Sequence, residues 1–239
     1  FVNGIFGKEL VSIFLEQLKI FDIKTIKAEV TKIKKNTLFE VHTKKSKYNA
    51  RSIIIATGTT PKRANLNGEK ELIGKKVFYE IADMPLTSHS KEIIIIGCGD
   101  VGFDYALNLY EKCHKPTIIM RNKAKCLELL KKRVEERNIL YFEGINPKSI
   151  RTNGNKIEIV CKEKIFRADY ALIAIGRKPI FPCIDVQSND GLFFAGDVKN
   201  KKNRQVHIAT GDGMRAAMNA VNYLTAAYPK NVSDKRSRR

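Results

Sequence analysis

The amino-acid sequence predicts an α/β protein made of two related domains. Three observations support this class. A glycine-rich turn lies between a short aliphatic strand and an amphipathic helix, and a plan of strand, hairpin and buried strand occurs twice along the chain. The 239 residues are also 43% hydrophobic and 29% charged, which is enough apolar content to form a buried core.

The first copy of the repeated plan occupies residues 28–58. Polar and apolar residues alternate over 28–33, a turn is predicted near Lys35-Asn36, a second strand follows at 38–42, and a buried strand covers 52–58. These features are typical of an antiparallel hairpin that leads into a parallel strand.

The second copy occupies residues 147–176 and follows the same order. Its strands are predicted up to residue 150, at 156–161 and at 170–176. The turn at Asn153-Gly154 is predicted to be type I′, because both residue types tolerate the positive φ that this turn requires. Each copy closes on Ala-x-Gly with a proline three residues later, at Pro61 and Pro179. The repeat therefore predicts two related domains.

The same spacing predicts where the first domain begins. In the second copy the glycine-rich turn precedes the closing glycine by 79 positions (176 minus 97). Counting back equally far from Gly58 leads to a point before residue 1. The chain, which begins at Phe1, is therefore expected to be a fragment whose first domain is truncated.

Composition argues against membrane and metal-binding classes. The aliphatic runs at 53–55 and 93–96 are much shorter than the roughly 20 apolar residues of a membrane helix, and no signal peptide is expected at the start. The five cysteines are scattered, without C-x-x-C or zinc-ligand spacing. We expect a soluble cytoplasmic protein with neither a membrane partner nor a metal.

The formal net charge of +19 raises nucleic acid as a partner, because clustered Lys and Arg neutralise phosphates. The lysines, however, occur in every segment and alternate with apolar residues, as in Lys32-Ile33-Lys34-Lys35, and no aromatic-basic motif accompanies them. We therefore expect a solvated basic surface and no nucleic-acid partner. The last five residues, 235–239, are expected to form a basic tail.

The glycine-rich turn has the context that dinucleotide binding requires. An aliphatic strand precedes it at 91–96, and residues 103–110 have helical spacing of apolar positions. The first glycine is expected to permit the tight turn, the second to let the pyrophosphate approach, and the third to let the helix pack closely. The turn is Gly97-Cys98-Gly99-Asp100-Val101-Gly102, and its three glycines, Asp100 and Val101 are candidate cofactor-binding residues.

The residues after the next strand favour NADP over NAD as the ligand. That strand ends at Met120, where an NAD-specific site carries an acidic residue for the ribose hydroxyls. Arg121, Lys123 and Lys125 follow instead, and a cation suits the 2′-phosphate of NADP. Arg121, Asn122 and Lys123 are accordingly candidate NADP-binding residues, and NAD stays an alternative.

Four blocks of sequence together resemble the low-molecular-weight thioredoxin reductase family. They are Ala56-Thr57-Gly58, the glycine-rich turn, Ala174-Ile175-Gly176-Arg177-Lys178-Pro179, and Gly191-Leu192-Phe193-Phe194-Ala195-Gly196-Asp197. The resemblance extends over nearly the whole chain to Leu224. It implies two FAD/NAD(P)-binding, Rossmann-like three-layer domains with β-meanders. On this basis the expected bounds are 1–72 and 179–239 for the FAD-binding domain and 73–178 for the NAD(P)-binding domain.

The resemblance also implies a flavin site. It implies that Asp197 binds the ribityl chain and that Arg204-Gln205 lies beside the isoalloxazine ring. A helix beginning near Gln205 would present its N–H groups to the flavin's pyrimidine edge. The remaining cofactor-binding candidates are Thr57, Gly58, Gly176, Arg177, Gly196 and Val206.

Three departures from the family pattern matter. The redox-active C-x-x-C positions align with Glu80 and Asp83, and carboxylates cannot shuttle electrons as a dithiol does. In this respect the chain is closer to the thioredoxin-reductase-like ferredoxin-NADP reductases. The first FAD-binding glycine motif is absent from the sequence, and the link from Pro179 to Gly191 is short.

The sequence therefore favours a flavoprotein that passes hydride from NADPH to FAD and on to an unidentified acceptor. The alternatives for the acceptor are ferredoxin, a quinone-like molecule and another small redox protein. No side chain is assigned as a catalytic acid or base, because the cofactors carry the chemistry. The alternative function is a non-catalytic protein that binds or senses NADP. A homodimer is kept as an expectation.

Overall fold

The structure is a computed structural model that describes residues 4–87, 89–162 and 164–229. The described chain forms two compact units. Unit 1 contains the described residues of Phe1–Ile55, Phe181–Ala195 and Thr210–Arg239, and unit 2 contains Ala56–Ile180 and Gly196–Ala209. In the described ranges, no helix is both long and apolar enough to cross a bilayer. The predicted domain bounds stay a prediction.

Helices and strands alternate over residues 69–142, and runs of consecutive strands precede and follow this part of the chain. The α-helices are α1 (Gly7–Ile20), α2 (Glu69–Leu72), α3 (Asp100–Glu111), α4 (Glu128–Glu136) and α5 (Val206–Ala227), with 3-10 helices at Ile81–Asp83 and Gly196–Val198. The strands are β1 (Val30–Lys35), β2 (Phe39–Thr43), β3 (Lys47–Ala50), β4 (Ile53–Ile55), β5 (Thr59–Pro61), β6 (Val77–Phe78), β7 (Glu92–Ile96), β8 (Lys115–Ile119), β9 (Leu140–Phe142), β10 (Pro147–Asn153), β11 (Lys156–Cys161), β12 (Ile165–Ala168), β13 (Tyr170–Ile173), β14 (Arg177–Pro179), β15 (Cys183–Asp185) and β16 (Leu192–Phe194).

Unit 1 contains an antiparallel meander with one added parallel strand. The strand order is β15-β1-β2-β3, with β15 parallel to β1. Ile33 and Phe39 are buried in it, as expected where alternate side chains face a core. β4 pairs in parallel with β16. The meander and the short closing strand confirm the plan predicted for the first copy.

Unit 2 has three layers. Its parallel sheet has the order β6-β13-β7-β8-β9. On β7, Ile93 and Ile95 pack in one apolar cluster with residues of α3 and α4, whereas Ile94 and Ile96 pack in a second cluster with the meander β10-β11-β12. A strand buried on both faces needs a continuous apolar run, which explains the four consecutive isoleucines. The predicted α/β class is confirmed.

The hairpin between β10 and β11 differs from the prediction in its turn type. Asn153 pairs with Lys156, so the two loop residues are Gly154 and Asn155. Gly154 has a φ of 59°, whereas Asn155 is not among the residues with positive φ. A type I′ turn needs positive φ at both positions, and type II′ needs it only at the first. The type I′ prediction was therefore wrong.

The meander is also held by a buried carboxylate. The side chain of Glu158 on β11 is only 3% exposed and accepts hydrogen bonds from Asn153 Nδ2 at 2.8 Å, Arg151 Nε at 2.9 Å and Arg167 Nε at 2.8 Å. These bonds, that from Asn153 first, lower the pKa of Glu158 to about 2. The ionised carboxylate is therefore the form that the folded meander favours.

We expect Glu158→Gln to lower the melting temperature by a few degrees at about pH 7, because two guanidinium groups lose their buried partner. The pKa of Glu158 is lower in the folded than in the unfolded chain, so the carboxylate stabilises the fold above its unfolded pKa and this contribution disappears as the pH falls toward about 2. The deficit of the variant should therefore shrink between about pH 5 and about pH 3. Glu136→Gln, at an exposed ion pair of 3.9 Å, is the control. A deficit that does not change with pH would contradict this account of Glu158.

Candidate functional site

The glycine-rich turn joins the end of β7 to the start of α3 and requires a glycine at position 97. A Cβ atom on Gly97 would lie 2.3 Å from the backbone oxygen of Ala174, just after β13. The two strands are held together here by the bond from Ala174 N to Ile96 O at 2.8 Å. Gly97 does not have positive φ. Position 97 therefore requires glycine because the turn lies very close to β13, and not because of the tight turn that we expected.

The third glycine allows the close packing expected of it, and the second has open space in front of it. A Cβ on Gly102 would lie 3.2 Å from Gly97 O, so the helix lies close against the turn. Gly99 is the N-cap of α3 and provides no capping side chain, and a Cβ there would meet no atom within 4 Å. Gly102 N and Phe103 N bond to Gly99 O, so this 12-residue helix leaves the N–H groups of Asp100 and Val101 open to an anion.

Asp100 has a structural partner that the sequence did not indicate. Its Oδ1 accepts a hydrogen bond from Leu127 N at 2.7 Å. Lys125 N donates to Cys98 O at 2.6 Å, and Ala124 N donates to Glu143 Oε1 at 2.8 Å. The first two bonds hold the segment after β8 against the glycine-rich turn, and the third joins that segment to Glu143, just after β9. Val101, in the first turn of α3, is 49% exposed.

An open cleft lies beside the glycine-rich turn and contains no acidic side chain. Arg121 and Asn122 are exposed and line it, whereas Lys123 is exposed but does not. Asn146, immediately before β10, also lines the cleft. The complete lining is Ala64, Leu66, Ile96, Gly97, Cys98, Met120, Arg121, Asn122, Asn146, Pro147 and Ile175. An uncapped helix N-terminus with an adjacent guanidinium fits the phosphates of NADP.

A second group of predicted residues surrounds the short ladder between β5 and β14, in which Arg177 pairs with Pro61 and Pro179 pairs with Thr59. Thr57 Oγ1 donates to Ile180 O, and Ile180 N donates to Gly58 O at 3.1 Å. Gly176, with a φ of 104°, accepts a bond from Lys62 N at 2.9 Å through its carbonyl. Thr57 and Gly58 thus lie at one end of the ladder, and Gly176 lies at the other end.

The Arg177 side chain is bonded to protein groups at three nitrogens. Its Nε donates to Thr59 Oγ1 at 2.7 Å, its Nη2 donates to Thr59 O at 2.9 Å, and its Nη1 pairs with Glu80 Oε1. Glu80 Oε2 accepts from the hydroxyl of Tyr105 on α3. Burial, and then the Glu80 carboxylate, raises the pKa of Tyr105. The position that aligns with a redox cysteine therefore holds a carboxylate with two partners.

The third group lies at the 3-10 helix Gly196–Val198 and the start of α5. Asp197 is half-buried and makes no side-chain hydrogen bond or ion pair in the part of the chain that the structure describes. Gln205 and Val206 are exposed. Arg204 Nε donates to Asn200 O at 2.9 Å, and Arg204 Nη1 donates to Arg177 O at 3.4 Å. An unpaired carboxylate followed by the N-terminus of a 22-residue helix fits the hydroxyls and pyrimidine edge of a flavin.

The comparisons with known proteins agree with this geometry. The family model described as pyridine nucleotide-disulphide oxidoreductase matches residues 8–213. The chain belongs to the pyridine nucleotide-disulphide oxidoreductase family. The thioredoxin reductase of Bacillus subtilis (strain 168) is 27% identical over 93% of this chain and 79% of its own length.

Solved structures of family members share the fold. The thioredoxin reductase of T. acidophilum has a TM-score of 0.77 and 26% identity, and covers 93% of this chain and 82% of its own. The thioredoxin reductase of Lactococcus lactis has a TM-score of 0.81 and 23% identity over the same shares. These findings confirm the predicted thioredoxin reductase-like family, the class of NAD(P)H-dependent flavoprotein oxidoreductase, and FAD and NADPH as the family's cofactors.

Sequence reasoning missed two features of this family member's site. Asn146 enters the cleft through the path of the chain between β9 and β10, and no spacing indicates this. The alignment with a cysteine motif singled out Glu80, but its partners Tyr105 and Arg177 lie 25 and 97 residues away. Tyr105, on the helix that follows the glycine-rich turn, was the only sequence signal for these partners.

We expect Glu80→Gln to lower the free energy of unfolding by about 1 kcal/mol, because Arg177 loses an ionised partner at a site where both side chains are about one-third exposed. Asp83→Asn removes the same charge three residues away, where the side chain is exposed and makes no hydrogen bond or ion pair among the described residues. This control should change stability by less than about 0.5 kcal/mol. Urea unfolding measures both, and equal losses would show that the ion pair does not stabilise unit 2.

Proposed function

We propose that this family member is an NADPH-dependent flavoprotein oxidoreductase that reduces its acceptor without a dithiol in the segment 80–83. The observation that carries the proposal is the pairing of Glu80 with Arg177 and Tyr105. A carboxylate in this position cannot be oxidised and reduced as a thiol can. Electrons are therefore proposed to leave for the acceptor without passing through a protein disulfide at this position.

The proposed NADPH site is the cleft beside the glycine-rich turn. The open N–H groups at Gly99 and the first turn of α3 are proposed to bind the pyrophosphate. Arg121 is proposed to bind the 2′-phosphate, with Asn122 beside it on the cleft wall. Asp100 contributes indirectly, because its bond to Leu127 N holds the segment that carries Arg121.

The proposed flavin site is the segment around Gly196–Val198 and the start of α5. Asp197 is proposed to accept hydrogen bonds from the ribityl hydroxyls, and Gln205 to lie at the ring edge. The N–H groups at the start of α5 favour negative charge there. When bound, FAD supplies the two-electron chemistry that links NADPH to the acceptor. Arg204 is proposed to position this segment, since it bonds to the carbonyls of Asn200 and Arg177.

The acceptor is proposed to be a small molecule or a small redox protein other than thioredoxin. The relatives are named thioredoxin reductases, but the replacement of both aligned cysteines by Glu80 and Asp83 supports a different acceptor. We also propose a cytoplasmic location, because all five cysteines are free in the structure.

The proposal is tested with the full protein saturated with FAD. We expect NADPH to bleach the flavin absorbance without oxygen, and menadione to restore it, whereas thioredoxin should not be reduced. Gly99→Val should abolish bleaching without unfolding the chain, because a Cβ at this position meets no protein atom within 4 Å and points into the open space where the pyrophosphate is proposed to bind. A protein that takes up no FAD on incubation, and therefore stays colourless, but still binds NADPH would support the non-catalytic alternative. Thioredoxin reduction as fast as menadione reduction would contradict the proposed acceptor class.

We expect Arg121→Ala to lower kcat/KM for NADPH by on the order of 10-fold or more, with little effect on NADH, because a charged hydrogen bond to phosphate is lost. Arg133→Ala removes a guanidinium from the exposed face of α4 and should leave the ratio of the two coenzymes unchanged. Steady-state kinetics with menadione as the acceptor measure both variants. An equal loss with NADPH and NADH would show that Arg121 does not recognise the 2′-phosphate.

A further inference from the structure

The segment that precedes α5 carries four cations in six residues, at Lys199, Lys201, Lys202 and Arg204. The three lysines are exposed, whereas Arg204 is half-buried and bonds to backbone carbonyls. No Asp or Glu occurs in residues 198–209. The acidic residue nearest in sequence to Lys201 and Lys202 is Asp197, which is half-buried.

Hydrogen bonds give this segment a defined path. Lys199 N donates to Gly196 O at 3.0 Å, and Asn200 Nδ2 donates to the same oxygen at 3.1 Å. Arg204 N donates to Lys202 O at 3.1 Å. Lys201 and Lys202 are therefore exposed on a loop whose two ends are held by hydrogen bonds, and they follow the half-buried Asp197 in the sequence.

Two exposed apolar side chains follow the lysines in the first turn of α5. Val206 is 53% exposed and Ile208 is 39% exposed, and both belong to unit 2 with the basic segment. Small surfaces that combine apolar contacts with charge are suited to short-lived complexes, such as those of redox proteins. Lys201, Lys202, Val206 and Ile208 are called the docking surface below.

We propose that the docking surface binds a small electron-accepting protein with an acidic surface around its redox group. This proposal rests on the proposed function, because the docking surface adjoins in sequence the residues assigned to the flavin, Asp197 and Gln205. The lysines attract the acidic partner, and Val206 and Ile208 supply the apolar contact. One NADPH supplies two electrons and leaves as NADP⁺ and a proton, so two molecules of a one-electron acceptor are reduced.

The composition of the segment favours a protein over a nucleic acid. Single-stranded nucleic acids are held by aromatic side chains on which bases stack, together with cations. Residues 196–209 contain no Phe, Tyr or Trp. The four cations could contact phosphates, but the segment offers no aromatic side chain on which bases could stack. A protein is therefore the favoured partner.

The test compares Lys201→Glu/Lys202→Glu with Lys24→Glu/Lys27→Glu in the full FAD-loaded protein. The control pair lies on exposed positions of unit 1 and changes the charge by the same amount. Two readouts are taken: kcat/KM with an acidic ferredoxin and with menadione, and binding of oxidised ferredoxin without NADPH. We expect the first variant to lose on the order of 10-fold in ferredoxin kcat/KM and in affinity at low ionic strength. The loss should disappear at high salt, and menadione reduction should stay unchanged.

The outcomes separate this proposal from the proposed function. If menadione is reduced and ferredoxin is bound equally by both variants, the docking surface is wrong and the proposed function stands. If menadione is not reduced, the proposed function is wrong. The binding of oxidised ferredoxin by the two variants then still shows whether the docking surface binds an acidic redox protein. Salt-dependent binding of a labelled RNA that only Lys201→Glu/Lys202→Glu abolishes, with ferredoxin binding unchanged, would overturn the proposal in favour of nucleic acid.

Discussion

The arrangement of the candidate site in unit 2 depends on the bonds that Arg177 makes. Its guanidinium bonds to Thr59 on β5 and to Glu80, and its carbonyl accepts from Arg204 before α5. Glu80 in turn accepts from Tyr105 on the dinucleotide helix. A guanidinium has five donors in a fixed plane, so one side chain can hold several segments at once. The group proposed to bind NADPH and the group proposed to bind flavin are thus connected through one residue.

The internal repeat was the part of the fold that sequence predicted best. Both copies showed the period-two alternation of a meander and the continuous apolar run of a parallel strand, and local patterns of this kind survive in a single sequence. The structure adds that the segments following the two closing strands, β5 and β14, pair with each other. That pairing joins segments that are far apart in the chain, and local periodicity carries no information about such distant partners.

Side-chain partnerships of the site were not predictable in the same way. Asp100 was a cofactor-binding candidate because it lies inside the glycine motif, and nothing in the motif indicated that its carboxylate accepts from Leu127 N. The glycine at 97 was expected for its turn, and the structure assigns it to the approach of Ala174 O. In each case the deciding atom belongs to a distant segment brought close by the parallel sheet. Spacing identified the positions, and only tertiary packing supplies the physical reason for them.

The basic character of the chain takes two different forms in unit 2. The cations after β8 lie on a segment held to the glycine-rich turn by backbone bonds and a carboxylate, and Arg121 faces a cleft without acidic groups. Lys201 and Lys202, by contrast, are exposed on a loop beside Val206. A cation in a cleft suits a small phosphate held at a fixed distance, whereas exposed lysines act over about a Debye length and are screened by salt. The same net charge can therefore select a cofactor at one place and guide a larger acidic partner at the other.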